Sequence, residues 1–146
     1  MISDSITDKI GEAMKAKDEI RLSTLRLLSS ALNYEKIARQ HDLSEEEELE
    51  VVRREAKKRK DAIEAYKKAN AQDRVDKESK ELTILEEYLP AQMKDNELEK
   101  IVEEVIAQMN VISMNDMGKV MGAVMQKVKG HADGTKVSAL VKAKLN

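Results

Sequence analysis

Apolar residues return every three or four positions along almost the whole chain, and this repeat constrains the fold more than any other feature. A spacing near 3.6 residues gathers side chains on one helix face, whereas a half-buried strand needs strict alternation. No alternating run of useful length is present, and one Pro and five Gly are all that punctuate 146 residues. The fold class that follows is all-α. Trp and Phe are absent, so the core must come from Leu, Ile, Val, Ala and the eight Met. A chain this long suits one domain or two small ones.

The spacing predicts a first helix near 3–17, with Ile6, Ile10 and Met14 on one side and Ser3 or Ser5 as its cap. A second helix near 18–40 carries Leu22, Leu25, Leu28 and Leu32. Ser44 with Glu47 matches a capping box, and the acidic run 45–48 suits the positive end of a helix dipole. The third helix then continues to about residue 70, and with the second should form a long antiparallel hairpin. A fourth helix near 73–88 completes an N-terminal four-helix domain and ends before Pro90, which disfavours helix at the preceding residue. We place the domain boundary at 90–94, giving 1–92 and 93–146. The second domain reads as three short helices: one capped by Asp95 or Asn96, one starting at Ser113–Asp116 and stopped by Gly130, and one capped by Asp133.

Net charge is −2 but unevenly distributed. Residues 1–110 hold 20 Lys and Arg against 26 Asp and Glu, while residues 111–146 hold six Lys against two Asp. A basic end on an acidic chain points to an anionic partner, though an excess of this size suits weak or assisted binding. Only three tyrosines are aromatic, which argues against base stacking as a main mode. The absence of Cys excludes disulfides, thiolate catalysis and thiolate zinc sites. No apolar run approaches signal-peptide or membrane-span length, so the expected compartment is the cytoplasm, with no membrane partner.

The segment 116–134, DMGKVMGAVMQKVKGHADG, is the most informative stretch. Gly118 and Gly122 share a helix face. The residues favour close packing against helix 95–109 or 133–145, with close approach of a ligand as the other reading. Lys119, Lys127, Lys129, His131 and Lys136 surround or follow that strip and form the candidate nucleic-acid contact, with the N-terminal amides of the last helix as a second phosphate site. A solvated helix face is the bland reading of the same lysines. The Met series 114, 117, 121 and 125 reads as core. A second basic run, Arg53 to Lys60, is better explained by i,i+4 ion pairs Glu50–Arg54, Glu55–Arg59 and Lys60–Glu64. No phosphate-binding loop, zinc-protease motif, nucleophile elbow or dinucleotide fingerprint occurs, so no catalytic residue, metal or cofactor is assigned.

The segment 116–134 with LVKAKL at 140–145, EEYLPAQ at 86–92 and RLSTLRLLSSALNYEKIA at 21–38 together resemble the GatB/YqeY family over essentially the whole chain. The family includes free-standing YqeY-like proteins and the tail of the GatB component of aspartyl/glutamyl-tRNA amidotransferase. The resemblance implies a helical N-terminal domain, a small three-helix C-terminal domain, and contact of that domain with transfer RNA. It also carries a family-level label of carbon–nitrogen ligase with glutamine as amide donor. The catalytic core of the GatB component lies outside the tail, so the activity is not transferred to these residues. The expected function is a non-catalytic tRNA-binding accessory, with an aminoacyl-tRNA amidotransferase or synthetase as possible protein partner. The alternative is a protein–protein adaptor docking through the glycine–methionine helix.

Overall fold

The computed structural model describes residues 1–111 and 113–145, and among these every regular element is helical. The helices are α1 (Ile2–Lys15), α2 (Glu19–Arg39), α3 (Glu45–Lys68), α4 (Gln72–Glu86), α5 (Asp95–Met109), α6 (Met117–Val128) and α7 (Gly134–Leu145), with one 3-10 turn at Met114–Asp116 before α6. The chain divides into two compact units, Met1–Leu89 and Pro90–Asn146.

In the first unit α3 lies most extensively along α4, and α1 along α2, while α2 meets α3 over a shorter length. Ile6, Leu28, Leu32, Leu43, Val51, Val52, Ala56 and Leu85 make its main core, and Ala13, Leu25 and Ile84 a second cluster. Asp18 caps α2 by accepting from the Arg21 amide at 3.0 Å. The expected capping box forms: the Glu47 amide donates to Ser44 Oγ at 3.2 Å, and the Ser44 amide donates to the Glu47 carboxylate at 2.9 Å. The helix before Pro90 stops at Glu86, two to three residues earlier than the proline alone required.

The start of α1 differs from expectation. Neither Ser3 nor Ser5 caps it. Instead Glu48, fully buried on α3, accepts from the Ile2 amide at 2.7 Å, the Ser3 amide at 3.1 Å and the Ser3 hydroxyl. A carboxylate from a distant helix thus satisfies the orphan amides of α1 and opposes its dipole.

The basic run also pairs differently. Arg54 reaches Glu35 on α2 at 2.9 Å, and Lys58 pairs with Glu55 at 3.0 Å. Arg59 lies 2.8 Å from Glu81 and 3.6 Å from Glu78, both on α4. Tertiary partners thus replace the expected Glu50–Arg54 and Glu55–Arg59 pairs, because α3 packs its flanks against α2 and α4, while Lys58–Glu55 stays within α3. Arg39 binds Glu35, Glu47 and Glu50 at 2.7–2.9 Å, joining the end of α2 to the start of α3.

These pairs make stability depend on acid pH. The Arg39 and Arg54 guanidiniums hold the Glu35 carboxyl below its usual range. The Ser44 amide and Arg39 do so for Glu47, Lys36 for Asp42, and Arg21 for Glu87. Depressed carboxyl pKa values contribute stability that is present above the unfolded-state range, ~4 to 4.5, and lost as pH falls through the folded values. Acid titration followed by circular dichroism should therefore show unfolding below about pH 4. Arg39→Leu is expected to move that midpoint to higher pH, with a small effect at pH 7 because the pairs face solvent. An unmoved acid midpoint would exclude this network as its source.

In the second unit the core is mostly valine. Leu98, Val102 and Val105 of α5, Val120, Val124 and Val128 of α6, and Val137, Val141 and Leu145 of α7 meet with Val111 and Ala132. The four-residue spacing on α6 and α7 puts each set on one face. Met117, Met121 and Met125 sit half-buried beside these valines, and Met114 is exposed. The methionine series is therefore the rim of the core, and the β-branched valines are its centre.

Candidate nucleic-acid interface

Helix α6 positions most of the candidate residues. The 3-10 turn before it is closed by Ser113, whose hydroxyl accepts from the Asn115 amide at 3.2 Å. Its far end is set by two successive left-handed residues, Lys129 (φ 42°) and Gly130 (φ 83°). Glycine suits the second position, since φ > 0 strains residues with a Cβ. Lysine holds the first, as the left-handed C-cap of α6.

Gly118 and Gly122 lie one turn apart on the exposed side of α6. A methyl group added at either meets no neighbouring atom within 4 Å. The expectation that these glycines pack against α5 or α7 is overturned. Two residues further along an α-helix is about 200° around it. The glycines therefore point away from Val120 and Val124, which make the contact in their place. What the glycines leave is a strip of bare helix backbone open to solvent.

Lys119, Lys127 and Lys129 are exposed, and none has a carboxylate within ion-pair distance among the described residues; Lys119 flanks the strip, whereas Lys127, five residues beyond Gly122, lies about 140° around the helix from it. Gln126 is exposed on the face of the strip. The other two candidates are engaged elsewhere. Lys136 pairs with Asp95 at the start of α5. His131 Nδ1 lies 2.9 Å from the Ala91 carbonyl, and its own carbonyl accepts from the Met93 amide at 2.7 Å. His131 thus fastens segment 91–93 to the end of α6, a structural role that spacing along the chain does not reveal. The N-terminus of α7 is also occupied. The Asp133 carboxylate accepts from the Thr135 amide at 3.0 Å, so a negative side chain stands where a phosphate was expected. Asp95 and Asn96 do not cap α5; Lys94 holds the cap position without a side-chain bond.

One basic residue is not singled out by the sequence pattern. Lys142 is exposed on α7 beside a shallow depression lined by Gly134, Thr135, Ser138 and Ala139. The four-residue spacing of 134, 138 and 142 is the signal that could have found it. Its neighbour Lys144 is held by Glu99 and Glu103 of α5 at 2.8 and 2.7 Å, which raises its pKa further above the ordinary lysine value. Among the described residues no group of three His, Asp or Glu is placed to hold a metal ion, and no helix is long and apolar enough to cross a membrane.

This is an all-helical protein of two units, the second carrying three exposed lysines on and after α6 that have no carboxylate partner among the described residues. The chain belongs to the YqeY family of Yqey-like proteins, whose model matches residues 3–145. It is 42% identical over 72 residues to the GatE component of glutamyl-tRNA(Gln) amidotransferase from Thermococcus gammatolerans, a match covering 47% of this chain and 10% of that protein. It is 35% identical over 88 residues to altered inheritance of mitochondria protein 41, mitochondrial, of Kluyveromyces lactis, covering 60% of this chain and 48% of the relative. An uncharacterized protein of Schizosaccharomyces pombe is 31% identical over 85 residues, or 69% of its length. The chain thus spans a tenth of the amidotransferase component and about half of the mitochondrial protein. The amidotransferase relative here is GatE, where the motif resemblance points to GatB. The Kluyveromyces lactis relative is named as a mitochondrial protein.

Proposed function

We propose that this protein is a non-catalytic accessory that binds transfer RNA through residues 93–146, with residues 1–92 as a separate domain. The observation that carries the reading is the α6 face. Among the described residues, Lys119, Lys127 and Lys129 stand exposed without carboxylate partners on and after the helix whose two glycines leave the backbone open, Lys119 being the one that flanks them. A sugar–phosphate strand can lie close against bare helix backbone while Lys119 at its edge takes one phosphate and Lys127 and Lys129, further round and past the helix, take others. Such contacts read shape and charge, not base identity. The similarity to a component of glutamyl-tRNA(Gln) amidotransferase supports the choice of transfer RNA among polyanions. An aminoacyl-tRNA amidotransferase or synthetase is the matching protein partner, and the cytoplasm the matching compartment. The reading assigns no catalytic residue and no cofactor.

Three lysine–phosphate contacts predict weak binding with a marked salt dependence. Filter binding of bulk transfer RNA across a salt series should saturate at low salt, with a log–log slope of magnitude ~2 to 3. Lys119→Glu combined with Lys127→Glu should weaken binding at least tenfold, which is ~1.4 kcal/mol, and reduce the slope. Lys136→Ala should change binding little, because its charge is already matched by Asp95. No saturable binding at low salt, or equal binding by the double variant, would refute the reading.

A further inference from the structure

The face that carries the bare strip does not end at α6. Met125 follows Gly122 by three residues and lies about 60° to one side of it, while Lys119 lies about 60° to the other. The Met125 methyl is 3.9 Å from the place a Cβ would take on Gly134, so this edge of the strip touches α7. From Gly134 the same side of α7 continues through Ser138 to Lys142 at four-residue intervals. Together with Thr135 and Ala139 these residues line the shallow depression. One continuous surface therefore runs from Lys119 across the glycines and Met125 to Lys142.

The cations of α7 divide by side. Lys136 and Lys144 turn to α5, where Asp95, Glu99 and Glu103 match them. Lys142, on the α6 side, is exposed and has no carboxylate within ion-pair distance among the described residues. Between Lys119 and Lys142 the surface holds no carboxylate, in a chain with 28 Asp and Glu. Asp133, at the start of α7, is turned onto the Thr135 amide and stands nine residues, about 13 Å along the axis, from Lys142. An unmatched ammonium with the Ser138 hydroxyl one turn before it is a donor set for a phosphate. We propose that Lys142 is a further phosphate contact and that the RNA backbone crosses from α6 to α7 over Met125, with Lys119 and Lys142 at its two edges. This rests on the transfer-RNA reading above and assigns the path of the strand across the unit. Lys127 lies off that path, on the side of α6 away from the strip.

Filter binding of bulk transfer RNA to the full chain tests the path with three variants. Lys142→Gln should weaken binding about threefold or more at low salt and lower the magnitude of the log–log salt slope by ~0.7 to 0.9, the share of one phosphate contact. Lys144→Gln removes the same charge two residues away, but from a lysine already matched by Glu99 and Glu103, and should change binding less than about twofold. Ala139→Glu places a carboxylate three residues before Lys142, where an i,i+3 ion pair favours the helix and occupies the ammonium. It should weaken binding about tenfold while the circular dichroism is kept and the thermal midpoint stays at or above that of wild type, so the loss does not come from unfolding. Wild-type binding with either Lys142→Gln or Ala139→Glu within twofold of it, or equal losses for Lys142→Gln and Lys144→Gln, would overturn this inference and leave the transfer-RNA reading standing. Absence of saturable wild-type binding would overturn both.

Discussion

Glu48→Ala is expected to destabilise the first unit by about 3 kcal/mol. The Glu48 side chain is fully buried and accepts from two backbone amides and a hydroxyl at the start of α1. Hydrogen bonds to a charged acceptor contribute ~1.5–3 kcal/mol each, and loss of the acceptor strands its donors. Fraying of the first turn would let water reach those donors and would limit the loss. Ile6 and Ala13 of α1 are core residues, so the helix cannot detach without exposing them. Urea unfolding of wild type, Glu48→Ala and Glu48→Gln provides the check. The Gln variant keeps one acceptor oxygen and should lose about half as much. Hydrogen exchange should localise the effect to α1. A loss of ~0.5 kcal/mol or less for the Ala variant would mean that water replaces the carboxylate without penalty.

Gly118→Ala with Gly122→Ala is expected to act in the opposite direction, stabilising the second unit by ~1–2 kcal/mol. Interior glycine costs a helix ~1 kcal/mol relative to alanine, because the unfolded chain gains freedom and nothing is packed. Neither position has a left-handed φ, and an added methyl meets no neighbour within 4 Å. Gly118 sits in the first turn of α6 and should contribute less than Gly122. Slower hydrogen exchange across α6 and a higher thermal midpoint are the expected readouts. A destabilised variant would restore the packing role that the structure removes. The same variant separates stability from function. If bare backbone at these positions lies against transfer RNA, binding should fall severalfold while stability rises.

Much of the fold was legible because it depends on local rules. The leucines of α2 announce its helix and buried face, whereas on α6 the methionine series reads as core and only the structure shows that the valines fill it. The Ser44–Glu47 box closes entirely within one turn and so could be read from four residues. Gly130 marked the end of α6 for the same reason: a left-handed backbone is a local demand. The candidate interface was legible in residue type but not in direction. A pair of glycines four apart states that they share a face, not whether that face meets a helix or solvent. A lysine likewise does not state its partner. Lys136 and Lys119 look alike in the chain, and only the position of Asp95 distinguishes them.

By itself the sequence determined the all-helical class, most helix spans, the leucine stripe of α2, and the concentration of basic charge toward the C-terminal end. Each follows from periodicity or composition, which act over one or two helical turns. Tertiary structure decided which groups are satisfied by partners far along the chain. Glu48 caps α1 from 45 residues away, Arg59 turns to α4, and His131 holds Ala91. It also decided that Gly118 and Gly122 face water, and that Leu27, Tyr34 and Ile37 remain uncovered. The reason is geometric: a helical pattern records how residues are arranged around their own axis, while burial and pairing depend on where other axes lie.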